Sequence, residues 1–263
     1  MTPTPTPTFT PTPTPTPTSV GCSVLCLSSD FQNSMNHTEP ALVSTGLLSP
    51  VDIDHMSCSL VLPELDDLTP YDVVFVWSNG DIVDPTGLGD LLKSYVDGHG
   101  SIALAVYCLS EFPHGDDRTI AGGILDEDYS PFHPASAQDV SGILDPASVT
   151  APSHPWFDGV DLNSVTFTSD SQFSDPDLDT NAILLATDTD GNKLLGESRS
   201  GKISAVSIYP GDLDSLNVSS DTRRLVVNML RSLAGCSSLP TPTPSATPSA
   251  TPSATPACIH HGD

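Results

Sequence analysis

The chain has 263 residues and a formal net charge of −25, with 33 acidic residues against 8 basic ones. A surface this acidic repels phosphate backbones and anionic lipid headgroups, which argues against nucleic-acid binding and against attachment to a membrane surface. No apolar run approaches the length of a transmembrane helix, so we expect no membrane insertion.

Both ends of the chain are repetitive. Residues 1–18 alternate Thr with Pro and are interrupted by Phe9, and residues 239–257 repeat Thr-Pro and then Ser-Ala-Thr-Pro. Proline fixes φ, has no amide hydrogen and keeps the preceding residue out of the helical region. We therefore expect each arm to be an extended polyproline-II-like rod or a flexible tether. Residues 19–238 have the size of a single domain, and residues 258–263 form a short tail.

The first half of the folded region predicts alternating strands and helices. Residues 23–27 are apolar and β-prone and end in a polar loop, which predicts a buried strand. A helix around residues 39–47 and a weaker strand at residues 51–54 follow. Residues 72–77 form the clearest predicted strand, and their unbroken apolar character is typical of a strand that is covered on both faces, as in a parallel sheet.

A strand–helix–strand unit comes next. Residues 86–96 predict an amphipathic helix that ends before Gly98 and Gly100, and residues 102–107 predict another buried strand. This spacing indicates a right-handed crossover between two parallel strands. The apolar face of the helix consists of Leu88, Leu91, Leu92 and Tyr95.

The last third of the folded region predicts three strands and a closing helix. The helix covers residues 219–234 with Ser220 or Asp221 as its N-cap. The alternation of elements predicts an α/β sandwich around a mostly parallel sheet. The strands are residues 183–186, 193–196 and 203–208, and the inward face of the helix is Leu225, Val226, Met229, Leu230 and Leu233.

Six cysteines permit up to three disulfides in fifteen connectivities. Cys22 and Cys236 lie just inside the two arms, and the ends of a domain are often neighbours in space, so we predict a bridge between them. Cys258 lies beyond the second arm and is either free or linked to another chain or a following domain. The others are Cys26, Cys58 and Cys108.

Several short sequence segments occur in the order and spacing that is typical of a known family. They are residues 71–77, 89–101, 121–124, 129–132 and 154–160. Together they resemble the class I glutamine amidotransferase-like superfamily, and more closely its divergent members in secreted and cell-surface bacterial proteins. The resemblance covers nearly all of residues 20–236. It implies a flavodoxin-like three-layer sandwich.

The resemblance also points to Cys108, because catalytic members carry a cysteine nucleophile in a Gly-x-Cys-x-Gly elbow after the matching strand, beside a His and a Glu. Here the neighbours are Tyr107 and Leu109, and no His-x-Glu motif occurs near the C-terminal strands. His154-Pro155 resembles a structural loop of the family. The resemblance therefore implies a non-catalytic domain, with a buried or disulfide-bonded Cys108 as the alternative to a nucleophile.

Acidic and histidine-containing loops offer weaker candidate sites. Asp188 and Asp190 are similar to the start of a calcium loop, but the glycine comes too early and no Glu follows at the twelfth position, so an Asp-Gly hairpin turn is the better interpretation. A solvated acidic loop likewise explains Asp175, Asp177 and Asp179. We expect no metal and no cofactor. His114, Asp116, Asp117, His260 and His261 have no partner motif.

Three features predict export and glycosylation, although no basic-then-apolar leader precedes the first repeat. Lysine is scarce, Ser/Thr tracts with Pro are typical of O-glycosylated stalks, and Asn36 and Asn217 begin N-glycosylation triplets. We expect an extracellular or cell-surface location. The predicted O-glycosylation sites are Thr4, Thr6, Thr8, Thr10, Thr12, Thr14, Thr16, Thr241, Thr243, Thr247, Thr251 and Thr255.

Three functions are consistent with this sequence. The leading hypothesis is a non-enzymatic structural glycoprotein, a subunit of a cell-surface layer or self-assembling filament, whose partners are copies of itself and covalent glycans. The second is a cryptic amidotransferase-like or hydrolase domain that uses Cys108. The third is an accessory binding module of a secreted enzyme.

Overall fold

The computed structural model describes residues 21–111, 117–136, 142–167 and 176–236. The predicted arms, with their threonines, and His114, Asp116, Asp175, Cys258, His260 and His261 lie outside these ranges. The central element is a seven-stranded sheet. Its strands are β1 (Val24–Ser28), β2 (Ile53–Ser57), β3 (Val73–Trp77), β4 (Ser101–Ala105), β5 (Ile183–Thr187), β6 (Lys193–Glu197) and β7 (Ile203–Val206).

Five neighbouring strands run parallel in the order β2–β1–β3–β4–β7, and the antiparallel β5–β6 hairpin extends the sheet beyond β7. Every residue of β1, β3, β4 and β7 is buried, as the apolar character of the first three predicts. The chain runs from β1 outward to β2 and then returns to β3 on the other side of β1. The strand order therefore reverses between β1 and β3, which is the switch point of a doubly wound sheet.

The helices cover both faces of this sheet. One helical stretch begins with α1 (Phe31–Asn33), continues through a π-helical turn (Ser34–Thr38) and ends with α2 (Glu39–Ser44). It packs with the C-terminal helix α5 (Ser220–Leu233), whereas α3 (Leu65–Leu68) packs with α4 (Pro85–Asp97). Because right-handed crossovers on the two sides of β1 place helices on opposite faces, the result is three layers. The predicted α/β sandwich with a mostly parallel sheet is confirmed.

Most predicted elements are present with shifted ends. Ser219 caps α5 in place of the predicted Ser220 or Asp221, because its hydroxyl accepts a 3.0 Å hydrogen bond from the Thr222 amide. β2 begins two residues later than predicted, since residues 50–52 form a 3₁₀ turn closed by a Ser49–Asp52 capping box. β4 ends at Ala105 rather than at residue 107, because the chain turns there.

The two edges of the sheet differ in how their outward backbone groups are satisfied. At the β5 edge, the Leu185 carbonyl accepts from the Thr150 amide at 3.0 Å, and the Thr187 carbonyl accepts from the Asp145 amide at 3.0 Å. The Thr187 amide donates to the Ser148 hydroxyl at 2.9 Å. A loop therefore covers the β5 edge, whereas no described residue forms such a cover along β2.

The loops carry short elements. Two-residue strands pair as Ser110–Glu111 with Ala135–Ser136, Phe132–His133 with Asp177–Leu178, and Gly142–Ile143 with Thr166–Phe167. Further 3₁₀ turns are Gly123–Leu125, Pro146–Ser148, Pro155–Phe157, Leu162–Ser164 and Pro210–Asp212. Within the described ranges, no helix has both the length and the apolar character needed to cross a membrane.

Candidate functional site

Cys108 follows β4 at the carboxyl end of the sheet, where the resemblance places a nucleophile. Its side chain is fully buried. Its Sγ atom lies 2.9 Å from the carbonyl oxygen of Ala105 and 3.7 Å from that of Val76. Burial raises the pKa of this thiol to about 12. The thiol is therefore protonated at neutral pH and directed at backbone carbonyls rather than at solvent.

The five described histidines have partners elsewhere. Four lie beside carboxylates and one lies beside a lysine, with N···O or N···N distances from 2.7 to 3.4 Å. His154, predicted in a structural loop, precedes the Pro155–Phe157 turn, and its ring meets that of Trp156 edge-on. The pairs are His37–Asp214, His55–Glu39, His133–Asp179, His154–Glu197 and His99–Lys202.

One of these pairs extends into a serine–histidine–glutamate chain. His55 Nδ1 lies 3.1 Å from the Ser34 hydroxyl, and His55 Nε2 lies 2.7 Å from a Glu39 carboxylate oxygen. The residue types are those of a hydrolytic triad, but Ser34 is fully buried. The chain of hydrogen bonds therefore ties the π-helical turn to β2 and leaves no hydroxyl for a substrate.

A polar cluster at the switch point is a second arrangement that sequence reasoning missed, besides the Ser34–His55–Glu39 chain. The Tyr209 hydroxyl donates to the Asp30 carboxylate and accepts a 3.0 Å hydrogen bond from each of the side-chain amides of Asn33 and Asn79. The Tyr107 ring packs against Tyr209 with the two centroids 5.5 Å apart. Burial, followed by the hydrogen bond to Asp30, raises the pKa of Tyr209.

The position of this cluster follows from the topology of the sheet. Asp30 comes just after β1, Asn79 just after β3 and Tyr209 shortly after β7. Because these strands are parallel, all three residues lie at the same end of the sheet. Ligands of doubly wound proteins bind in the crevice at this switch point. Here the crevice contains hydrogen bonds among the protein's own side chains. Polar residues directly after buried strands were the sequence signal that could have found it.

The acidic loops have structural roles in the turns that contain them. The buried carboxylate of Asp188 accepts from the amides of Asp190 at 2.9 Å and Asn192 at 2.8 Å, and so holds the β5–β6 turn. Asp179 is also buried and accepts from the Asn181 amide at 2.9 Å. Among the described residues, no group of three His, Cys, Asp or Glu side chains is placed to hold a metal ion.

Two further loop candidates are described, namely Asp117 from the loop after Cys108 and Asp177 from the acidic surface loop. Both side chains are exposed. The Asp117 carbonyl accepts a 2.8 Å hydrogen bond from the Ile82 amide, and Asp177 pairs with His133 in a two-residue ladder. These backbone contacts join one loop segment to another.

The predicted disulfide between Cys22 and Cys236 is present, with Cα atoms 5.9 Å apart. Cys22 directly precedes β1, and Cys236 follows α5, so the bond lies at the amino end of the sheet. A cavity of about 470 Å³ opens beside it and is lined in part by His154 and Asn228. Both arms therefore join the domain at one covalently closed point, at the opposite end of the sheet from Cys108.

The two N-glycosylation triplets lie close to each other. Asn36 and Asn217 are exposed, and a 2.9 Å contact between His37 and Asp214 joins their two segments. The hydroxyl of the first triplet, that of Thr38, is buried and donates to the Pro210 carbonyl at 2.9 Å. The two asparagine side chains are thus accessible near one junction of the fold.

Comparison with known proteins gives similarity at the level of structure. No family model matches the sequence, and no curated protein matches it. A GMP synthase subunit from Thermoplasma acidophilum is similar in structure, with a TM-score of 0.51 and 10% identity over 81% of this chain and 95% of that one. A ThuA-like protein from Bacteroides uniformis gives a TM-score of 0.50 and 9% identity over 85% of this chain and 95% of that one. The domain therefore shares its flavodoxin-like α/β fold with these two proteins.

Proposed function

We propose that this chain is a non-enzymatic, extracellular structural glycoprotein, a subunit of a surface layer or filament. The observation that carries the proposal is the Cys22–Cys236 bond at the shared exit of the two arms. Disulfides persist in oxidising compartments, which supports export. A domain whose two ends are joined by a disulfide where both arms leave is suited to be one repeating unit of an assembly.

The state of Cys108 supports the non-enzymatic part of the proposal. A cysteine nucleophile acts as a thiolate, and it needs a base and access to a substrate. The Cys108 thiol is buried, has a raised pKa, and contacts backbone carbonyls. These properties are typical of a structural cysteine.

Two measurements test this function. The chain is produced in a secreting host that adds O-glycans, and its intact mass is compared before and after chemical deglycosylation. The assembled material is then imaged by negative-stain electron microscopy over a range of concentrations. We expect a mass excess that deglycosylation removes, together with filaments or sheets. An unmodified mass and single particles at every concentration would reject the proposal.

A binding module is the second candidate, and the Tyr209 cluster is the observation that favours it. A half-buried set of hydroxyl, amide and carboxylate groups at a switch point is suited to a small polar ligand. Thermal shift measurements against a panel of sugars and amino acids, repeated with Tyr209→Phe, test this function. A stabilisation that depends on Tyr209 supports it.

A further inference from the structure

The open edge of β2 is the feature that leads to a further inference. In a parallel pair, alternate residues direct their backbone groups to the neighbouring strand. The Cys58 amide donates to the Ser28 carbonyl in β1, so Met56 and Asp54 also face β1, while His55 and Ser57 face outward. Within the described ranges, no residue bonds to the outward amides and carbonyls of His55 and Ser57.

Exposed apolar side chains flank this edge at both ends. Val51, just before β2, is 89% exposed, while Leu60 and Val61, just after it, are 84% and 72% exposed. An open strand edge flanked by exposed apolar groups is a site for pairing with another chain. The covered β5 edge offers no equivalent, so each subunit has one acceptor edge within its described part.

Charge restricts what can pair with this edge. Asp52 directly precedes β2 and Asp54 lies within it, and the whole chain carries a net charge of −25. A second β2 edge would bring these carboxylates close to their own copies, which is unfavourable. The arm of residues 2–18 contains only Thr, Pro and Phe and carries no charge. A neutral strand avoids this repulsion, so within a second copy the uncharged arm is a better partner for this acidic edge than another β2.

The Thr-Pro repeat also has the right backbone chemistry for an edge. In an extended strand, alternate residues direct their amide and carbonyl groups to the same side. All the threonines of residues 2–18 have even numbers, so their N–H and C=O groups face one side, and the prolines, which lack N–H, face the other. Such a strand can pair on one side only, and its Thr hydroxyls all point to one face of the sheet, away from the paired edge, where they remain available for sugars.

The length and proline content of the arm favour a second copy over the same chain. At about 3.3 Å per residue, 17 residues of extended strand span roughly 56 Å, against a radius of gyration of about 17 Å for a domain of this size. The arm leaves at Cys22, beside the amino end of β1, and pairing with its own β2 requires a sharp reversal. Proline at every second position opposes such a reversal.

We propose that the outer edge of β2 accepts residues 2–18 of a second copy as an added strand. This inference rests on the proposed assembly and identifies the contact that propagates it.

The test uses the full chain and two matched pairs of variants. Ser57→Pro removes an outward amide without touching the ladder to β1, and proline is tolerated on edge strands; Ser57→Ala keeps that amide. In the arm, Thr6, Thr8, Thr10 and Thr12 are replaced together by Pro, which removes the donors, or by Ser, which keeps them.

Assembly is measured by sedimentation over a range of protein concentrations, and protection of the His55 and Ser57 amides is measured by hydrogen exchange. Urea midpoints verify folding.

We expect the parent, Ser57→Ala and the Ser arm to assemble alike, with concentration-dependent protection at β2. Ser57→Pro and the Pro arm should each need about tenfold more protein, or more, to assemble. If every variant assembles like the parent, the edge inference is wrong and the proposed assembly stands. Protection that does not depend on concentration would show pairing within one chain and overturn the second-copy contact. A parent that stays monomeric rejects both proposals.

Discussion

The carboxyl and amino ends of the central sheet differ in what the chain has placed there. At the carboxyl end, where doubly wound proteins bind their ligands, Cys108 is buried and Tyr209 is hydrogen-bonded to the protein's own side chains. At the amino end, a disulfide joins the exits of two long, uncharged arms. The carboxyl end is thus closed by the protein's own contacts, whereas the amino end is the point from which both arms leave the domain.

The largest expected effect concerns the amino end. Replacing both Cys22 and Cys236 by Ser releases a crosslink with a sequence separation of 214. Chain entropy for a loop of this length predicts a loss of about 5 kcal/mol in the free energy of unfolding. Urea unfolding of the variant, with the reduced parent as its control, measures the change. Equal urea midpoints for the variant and the oxidised parent would contradict a structural role for the bond.

Alkaline pH tests the burial of Cys108 at the carboxyl end. Its pKa is raised from 9.0 to about 12, so the unfolded chain ionises first. The contribution of this thiol to the free energy of unfolding is complete below pH 9. It falls as the pH rises toward 12, by up to about 4 kcal/mol for a pKa shifted this far. Urea unfolding from pH 8 to 11, compared between the parent and Cys108→Ala, measures this term. Parallel curves for the two proteins would show that the thiol is not buried.

Tyr209→Phe tests whether the switch-point cluster is structural. The change removes one hydroxyl and leaves Asp30, Asn33 and Asn79 without that partner. We expect a loss of about 1–3 kcal/mol in unfolding free energy and no change in assembly. Thermal unfolding and sedimentation, run side by side, separate the two effects. Lost assembly at unchanged stability would assign the cluster to the interface instead.

The smallest expected effect is the response of native Cys108 to alkylation. Because the thiol is buried and protonated, iodoacetamide should leave it unmodified at pH 7.5 for hours and label it quickly in urea. Peptide mass spectrometry reads both states, and Cys26, also buried, is the internal control. Rapid labelling of Cys108 alone in the folded protein would support the enzymatic hypothesis instead.

The fold was predictable because its strands and helices have strong local patterns. The unbroken apolar run at β3 and the spacing of Leu225, Met229 and Leu233 in α5 report burial directly, and all three side chains are buried. The Cys22–Cys236 bond was predictable from position alone, since both residues border the arms.

The switch-point cluster was not predictable in the same way. Its hydrogen bonds join Tyr209 to Asp30, Asn33 and Asn79, which lie 130 to 179 residues away in sequence. The local pattern places polar residues after buried strands but does not say which of them meet, since the contacts arise because parallel strands end on one side. The π-helical turn before α2 had no sequence signal either. It is joined to β2 by the half-buried hydrogen bond between Ser34 and His55, which belong to different elements.

The disulfide at the arm exits also determines how the protein responds to mechanical load. A pull that reaches the domain through its arms passes from Cys22 to Cys236 across one covalent bond. The whole sheet lies within the loop that this bond closes, so tension bypasses the hydrogen bonds between strands. The domain would therefore keep its shape under tension. A string of such subunits would transmit a pull from arm to arm through its disulfides without loading its sheets.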